Sequence, residues 1–289
     1  MNPLLHKAGW MNSEHIRPYV FVRPENSIQN PGIRHHLDWF NKEPIYKNPL
    51  SLDEVSFAEH IYWIEGKAFG PANMEMPRWV FYDCAVVPGF VAGFACRTSH
   101  LPPAIKKVMK PRENCEWTPL SLFIIIPTMH KGEWVAHNLC TVNSMLEKKE
   151  DQLYGLGFLS KAFGLWYANV DLCTGFTQWG NPALKLHSHY GYLEILGSYA
   201  PVHSHSKTLT YRAVVNTQCW EKFFNRDQDM AFLENYAPSG FYIDPSEEKS
   251  MIDLQRRIEK GEGPFYLSAM DIAEKDLAQK LVVYKPKSV

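Results

Sequence analysis

Two glycines one residue apart, in Gln152-Leu153-Tyr154-Gly155-Leu156-Gly157, stand directly before an apolar helical pattern. Glycine lets a backbone turn tightly and approach a ligand with no Cβ in the way. A helix N-terminus adds unpaired N–H donors and about half a positive charge. Together these features make an anion cradle suited to a pyrophosphate. The same two glycines also suit a plain turn that brings a helix close to a sheet.

Titratable residues flank this segment. Glu133 and His137 fall at the start and in the middle of an apolar–polar alternation. Imidazole, with an unperturbed pKa of about 6.5, suits a general base near neutral pH. A solvated turn carboxylate and a satisfied core histidine are the plain alternatives. His187 and Tyr190 follow, one helical turn apart, and ordinary packing is the alternative for Tyr190. His187-Ser188-His189 and His203-Ser204-His205 are H-x-H pairs, and four imidazoles would suit zinc or copper. No H-E-x-x-H or similar carboxylate motif accompanies them. On a helix, positions i and i+2 point about 200° apart, so the first pair cannot chelate jointly, and no metal is expected. The run Lys106-Lys107…Lys110 reads as a solvated face.

The rest of the chain bounds these possibilities. Its 30 Lys and Arg against 31 Asp and Glu leave no basic excess for phosphate backbones, which argues against nucleic acid as the main partner. With 45% apolar and 21% charged residues the chain can bury a core. Its 13% aromatic content suits a roomy apolar pocket. The 6 cysteines are scattered without a CxxC pair, as expected of reduced, mostly buried thiols. Apolar runs such as Cys84–Cys96 fall well short of the roughly 20 residues a membrane helix needs, and the first residues lack the apolar core of a signal peptide. The expectation is a soluble, cytoplasmic protein.

Residues 1–50, rich in Pro, Asn and His, read as an irregular N-terminal arm with one strand at Tyr19–Arg23. Ser51 and Glu54 form a capping-box pattern, and apolar residues from Val55 to Phe69 at helical spacing predict a helix. Two β-branched and aromatic runs, Trp79–Val87 and Phe90–Thr98, flank Pro88-Gly89 and predict a hairpin. A short basic helix within 100–119 precedes strands at Leu120–Pro127 and Glu133–Met145, the latter with Val135, His137, Leu139, Thr141 and Asn143 on one face. The period then switches, giving a helix over 158–170 and a strand at Leu172–Gln178. Asn181-Pro182 starts a short helix, Ala183–Tyr190, and strands follow at Tyr192–Tyr199 and Lys207–Asn216. Beyond 217 the pattern predicts helices over 217–236, 246–260 and 269–281, a C-terminal helical extension.

The succession of a strand, Q-x-x-G-x-G, a helix, a strand, Asn181-Pro182-Ala183-(x)-Lys185-Leu186 and Gly191-Tyr192 before another strand resembles the general-control-related N-acetyltransferase (GNAT) superfamily. The resemblance spans residues 51–216 in element order, and its sequence-specific part is confined to 133–192. It implies an α/β fold with a mixed, mostly antiparallel central sheet flanked by helices. It implies that Gln152, Tyr154, Gly155, Leu156 and Gly157, with Asn181 further on, contact coenzyme A. The preceding strand, at Leu139, Cys140 and Thr141, would hold the pantetheine arm, and a backbone N–H of Leu139–Val142 would serve the oxyanion. Aligned on Gly191-Tyr192, Ala183 and Leu186 match the family pattern. His187 stands where the family has a catalytic Tyr, and Asn181 is shifted by one residue. Tyr190 lies one turn from His187, and either is a candidate acid for the leaving thiolate.

The implied activity is acyl transfer from acetyl-CoA or another acyl-CoA to the amine of a small-molecule acceptor, with Glu133 or His137 as base. An acyl carrier protein as donor, as in enzymes resembling N-acyl amino acid synthases, and a non-catalytic ligand-binding role stand as alternatives. A histidine-bound metal enzyme is a third.

Overall fold

The computed structural model describes residues 7–25, 42–87, 89–112, 114–215, 232, 234–274 and 280–287, and it divides into two compact units, Met1–Val170 and Asp171–Val289.

The first unit contains strands β1 (Ile16–Phe21) and β2 (Ile45–Lys47), then helices α1 (Val55–Phe69) and α2 (Arg78–Ala85). Strand β3 (Phe90–Arg97), helix α3 (Pro103–Met109) and strands β4 (Trp117–Pro119), β5 (Ser121–Pro127) and β6 (Glu133–Thr141) follow, and helix α4 (Leu156–Tyr167) closes the unit. Its strands run in the order β2-β1-β3-β5-β6, with β4 pairing the end of β3. All these pairings are antiparallel except β1 with β2.

Three expectations are corrected in this unit. The strand expected at Tyr19–Arg23 begins at Ile16 and pairs with β3, so this part of the N-terminal arm belongs to the sheet. The hairpin expected over 79–98 does not form, because its first half is helix α2. That run is short and apolar, and its periodicity alone does not separate strand from helix. Phe81 is buried against Tyr62 at 4.7 Å between ring centroids, while Trp79, which a paired strand would have to accommodate, is 70% exposed. Finally, Ser51 accepts the amide of Asp53 and opens a 3-10 turn instead of closing a capping box. Glu54 pairs with Lys47 at 3.0 Å.

Helix α4 is apolar on almost every side, as expected for a helix buried all round, and only Gly157 is not buried. Its close approach to the sheet depends on Gly164, where a Cβ would stand 2.5 Å from Phe123 Cδ1. Ser160 Oγ lies 2.7 Å from Ser121 Oγ on β5 and 2.6 Å from the Leu156 carbonyl, tying the start of α4 to the sheet.

The second unit holds β7 (Leu172–Gln178), α5 (Ala183–Ser188), β8 (Leu193–Gly197), β9 (Thr208–Val214) and β10 (Tyr236–Ile243). It ends with α6 (Glu248–Glu259), β11 (Phe265–Leu267), α7 (Ala269–Glu274) and β12 (Leu281–Pro286). The strand order is β7-β9-β8-β11-β12-β10, and every pairing is antiparallel. Trp179, Leu193, Tyr211, Met251 and Phe265 are among the residues of its core. The C-terminal segment is not wholly helical: β10, β11 and β12 extend the antiparallel sheet, and α6 is the expected helix of 246–260. The helix expected over 217–236 lies almost wholly outside the described residues. Among the described residues, no helix is long and apolar enough to cross a membrane.

Candidate active site

The glycine loop lies where the sequence places it, between β6 and α4. Gly155 is the N-cap of α4 and takes φ 73°, a left-handed conformation natural to glycine. Asn143 holds the loop in shape: its Oδ1 accepts the Leu153 amide at 2.9 Å and its Nδ2 donates to the Leu153 carbonyl at 2.8 Å. Sequence reasoning put Asn143 on a strand face, whereas it belongs to the 3-10 turn Val142–Met145. Gln152 turns its side-chain amide back to the carbonyls of Asn143 and Leu146, at 3.4 and 3.5 Å. Trp10 Nε1 donates to the Tyr154 carbonyl at 2.9 Å, so the N-terminal segment braces the loop as well.

Not every amide in the cradle is open. Leu156 donates to the Leu153 carbonyl at 3.2 Å and its side chain is fully buried. The amides of Gly155 and Gly157 have no hydrogen-bond partner among the described residues. Neither glycine carries a Cβ, and with the partial positive charge of the twelve-residue helix behind them these amides are donors of the kind that anion oxygens accept. These residues fit a pyrophosphate. Tyr154 is exposed, and the Lys7 ammonium lies 5.7 Å from its ring centroid.

Strand β6 carries a bulge. Phe123 pairs with Leu139 and Ile125 with Ala136, so His137 and Asn138 together oppose the single residue Ile124. A bulge breaks the strict alternation of faces, and Leu139 and Thr141 consequently share a face with Trp134 and Ala136 rather than with Val135. The five-residue face expected from the sequence is corrected on this point. The bulge also lets neighbouring side chains meet: His137 Nδ1 and Asn138 Oδ1 are 2.9 Å apart. The His137 side chain is open to solvent, yet the protein around it pushes its pKa below the ordinary imidazole value by desolvation, against the opposing hydrogen bond to Asn138.

Behind the bulge stands a residue that sequence reasoning missed. Glu65 on α1 is 2% exposed, and its Oε1 accepts from Asn138 Nδ2 at 2.9 Å and from the Met76 amide at 3.0 Å. Burial raises its pKa above the usual carboxylate range, the two hydrogen bonds oppose that shift, and Glu75 adds to it. A signal was present, since Phe57, Ile61 and Glu65 recur every four residues and place a carboxylate on the apolar stripe of the helix.

Glu133 stands at the start of β6, where Thr128 Oγ1 donates to its Oε2 at 3.2 Å across the β5–β6 turn. Cys140 is buried, and burial together with the nearby Glu65 charge holds its thiol protonated. The Thr141 carbonyl accepts from Ser144 Oγ at 2.9 Å.

In the second unit, α5 starts after Asn181, whose Oδ1 accepts the Ala183 amide at 2.8 Å. His187 and Tyr190 are both buried, Tyr190 at 0% exposure. The Tyr190 amide donates to the His187 carbonyl at 3.3 Å, and the His187 ring lies 5.2 Å from that of Tyr211. Gly175 on β7 leaves room for the Tyr211 hydroxyl, which would stand 2.5 Å from a Cβ there. In the other histidine pair, His203 Nδ1 accepts the His205 amide at 2.9 Å, which occupies one of its possible ligand nitrogens. Among the described residues, no three His, Cys, Asp or Glu side chains group to hold a metal ion.

No protein-family model and no curated protein matches the sequence. Among solved structures, the ribosomal-protein-S18-alanine N-acetyltransferase of Escherichia coli is similar at 14% identity and a TM-score of 0.37, over 56% of this chain and 90% of that one. A chain of the NatC complex bound to Gag peptide and CoA is similar at 10% identity and TM-score 0.39, over 58% and 96% of the two chains. A variant of spermidine N-acetyltransferase from Vibrio cholerae is similar at 13% identity and TM-score 0.31, over 74% and 99%. At these scores the likeness is loose, and the functional reading rests on the site itself. The solved structures to which this chain is similar are consistently N-acetyltransferases.

Proposed function

We propose that the protein is an N-acyltransferase that moves an acyl group from an acyl-CoA thioester to the amine of a small-molecule acceptor. The observation that carries this reading is the pair of unpartnered glycine amides, Gly155 and Gly157, at the N-terminus of α4. Phosphate oxygens are the natural acceptors for such amides. The loop Gln152–Gly157 would hold the pyrophosphate, with Asn143 and Trp10 keeping it in shape.

Aminolysis of a thioester needs a deprotonated amine, a donor for the tetrahedral oxyanion and an acid for the departing thiolate. On this reading His137 takes the proton from the attacking amine, and its depressed pKa keeps the ring neutral and ready to do so near pH 7. A backbone amide of the segment Leu139–Thr141 serves the oxyanion. By the family resemblance alone, Tyr190 and His187 are the candidates to protonate the thiolate. Glu133, engaged with Thr128 in the turn, is the weaker candidate for the base. The complete burial of Tyr190 favours a second reading, in which the fold binds a CoA-like ligand without catalysis.

The experiment is a thiol-release assay: acetyl-CoA and longer acyl-CoAs are incubated with a panel of small amines, and free CoA is followed with a thiol reagent. Amine-dependent release, with the matching N-acyl product in the mass spectrum, is the expected result. CoA binding without turnover for any amine would favour the binding-protein reading. Transfer only from an acylated carrier protein would identify that donor instead.

A further inference from the structure

We propose that Asn138 and Glu65 are positioning residues that hold His137 in the tautomer protonated at Nδ1, leaving Nε2 as the nitrogen that accepts the substrate proton. This inference rests on the acyl-transfer reading for its function, but the geometry behind it is independent of any ligand.

The carboxylate of Glu65 can only accept, and Oε1 already receives the Met76 amide at 3.0 Å. The Asn138 atom 2.9 Å from it is therefore the NH₂ nitrogen, and the amide oxygen must face His137. That oxygen too can only accept, so the His137 nitrogen 2.9 Å away, Nδ1, carries the hydrogen. In a neutral ring one nitrogen donates and the other accepts, and Nε2 is left with the lone pair. Nε2 has no partner among the described residues, and the side chain is open to solvent. The fixed end of the chain is secure because Glu65 is buried on α1, which packs against β6. Only the bulge at His137–Asn138 allows adjacent strand residues to bond side chain to side chain.

The arrangement matters because an unconstrained neutral imidazole in water favours the other tautomer, with hydrogen on Nε2, in which the outward nitrogen cannot act as a base. In the proposed step the amine nitrogen forms a bond to the acyl carbon and its proton passes to Nε2. The carbon–sulfur bond breaks, the thiolate leaves and takes a proton from a general acid, and Nε2 later returns its own proton to solvent, from which that acid is reprotonated. The imidazolium so formed keeps its Nδ1–H bond to Asn138, within reach of the Glu65 charge. Orientation of a catalytic histidine through its second nitrogen is the general device of such groups.

The test is ¹⁵N NMR of the histidine side chains at a pH where His137 is neutral, with a His137→Gln difference spectrum picking its signals out of the 12 histidines. The wild type should show a protonated-type nitrogen at Nδ1 and an unprotonated-type nitrogen at Nε2. Asn138→Leu, which removes the acceptor, should convert the ring to the Nε2–H form. It should also lower kcat by about tenfold or more with the KM for acyl-CoA unchanged. Glu65→Gln still offers Asn138 an acceptor and should retain the Nδ1–H signature. An Nε2–H signature in the wild type overturns the proposal even if Asn138→Leu fails to fold. So does Asn138→Leu retaining Nδ1–H. The two readings fail separately: acyl transfer with the wrong tautomer removes only the positioning role, whereas the expected tautomer without transfer from any thioester removes only the acyltransferase reading.

Discussion

Asn143 brackets the backbone of Leu153, accepting its amide at 2.9 Å and donating to its carbonyl at 2.8 Å. One side chain thereby fixes the residue from which the glycine loop departs, and the free amides of Gly155 and Gly157 inherit their position from it. Asn143→Ala should loosen the loop by about 1–2 kcal/mol, the net worth of two such bonds. CoA binding should weaken roughly 5–30-fold in Kd. Calorimetric titration of the variant against wild type measures this directly, and unchanged affinity would show that the loop holds its shape without the clamp.

Gly164 gives a test of the packing that carries α4. A methyl group there would meet Phe123 Cδ1 at 2.5 Å and Cε1 at 3.0 Å. Overpacking of this kind costs about 1–3 kcal/mol, against up to about 1 kcal/mol of helix propensity gained. Gly164→Ala should therefore lower the urea midpoint with little change in the slope. A raised midpoint would mean that the Phe123 ring moves aside freely.

The depressed pKa of His137 sets a pH dependence whose sign can be worked out. The neutral ring is the active base, so kcat/KM falls as pH drops through the folded pKa. That acid limb should lie below about 6.5, the ordinary imidazole value. Below that value the folded protein also binds fewer protons at this site than the unfolded chain, so acidification destabilises it. Glu65, Glu75 and Cys140 lie around this cluster, and Glu65, whose pKa burial raises, is the carboxylate whose titration would overlap the limb. His137→Gln should abolish the limb and soften the loss of stability. A profile that His137→Gln leaves unchanged would exclude it as the base.

Tyr190 and His187 are separable by substitution. If Tyr190 protonates the thiolate, Tyr190→Phe keeps the fold and CoA binding but lowers turnover by roughly 10²–10⁴-fold. Comparable activity in that variant moves the role to His187.

Much of the framework was legible because its periodicities are long and strong. β5, β6, α4, β7 and α5 fall within a few residues of their expected positions, and the glycine loop sits between β6 and α4 as its spacing required. What failed was decided by neighbours distant in sequence. Arg78–Ala85 is too short for periodicity to distinguish helix from strand, and packing against Tyr62 settles it as helix. The bulge at His137–Asn138 is a property of register against β5, which no local pattern in β6 encodes. Strands β10–β12 are assigned by their pairing with one another and with β8, whereas the charged stretches around them read as helical. Glu65 was readable in principle from its place on the apolar stripe of α1, but its partner Asn138 becomes visible only once the bulge is known.

The central claim is that Gln152–Gly157 holds a CoA pyrophosphate, and the most direct measurement is the CoA-induced shift in melting temperature of wild type and Gly155→Glu. At 100 times its dissociation constant, CoA should stabilise the wild type by about 2.7 kcal/mol, a rise of roughly 5–10 °C for a chain of this size. Desulfo-CoA should act as well as CoA, since the cradle reads phosphates, and pantetheine should act far more weakly. Gly155→Glu places a side chain and a negative charge at a φ 73° position and should remove the shift, whatever its own starting stability. A wild type whose melting is indifferent to saturating CoA and acetyl-CoA, or a Gly155→Glu variant that shifts as fully as the wild type, would contradict the account.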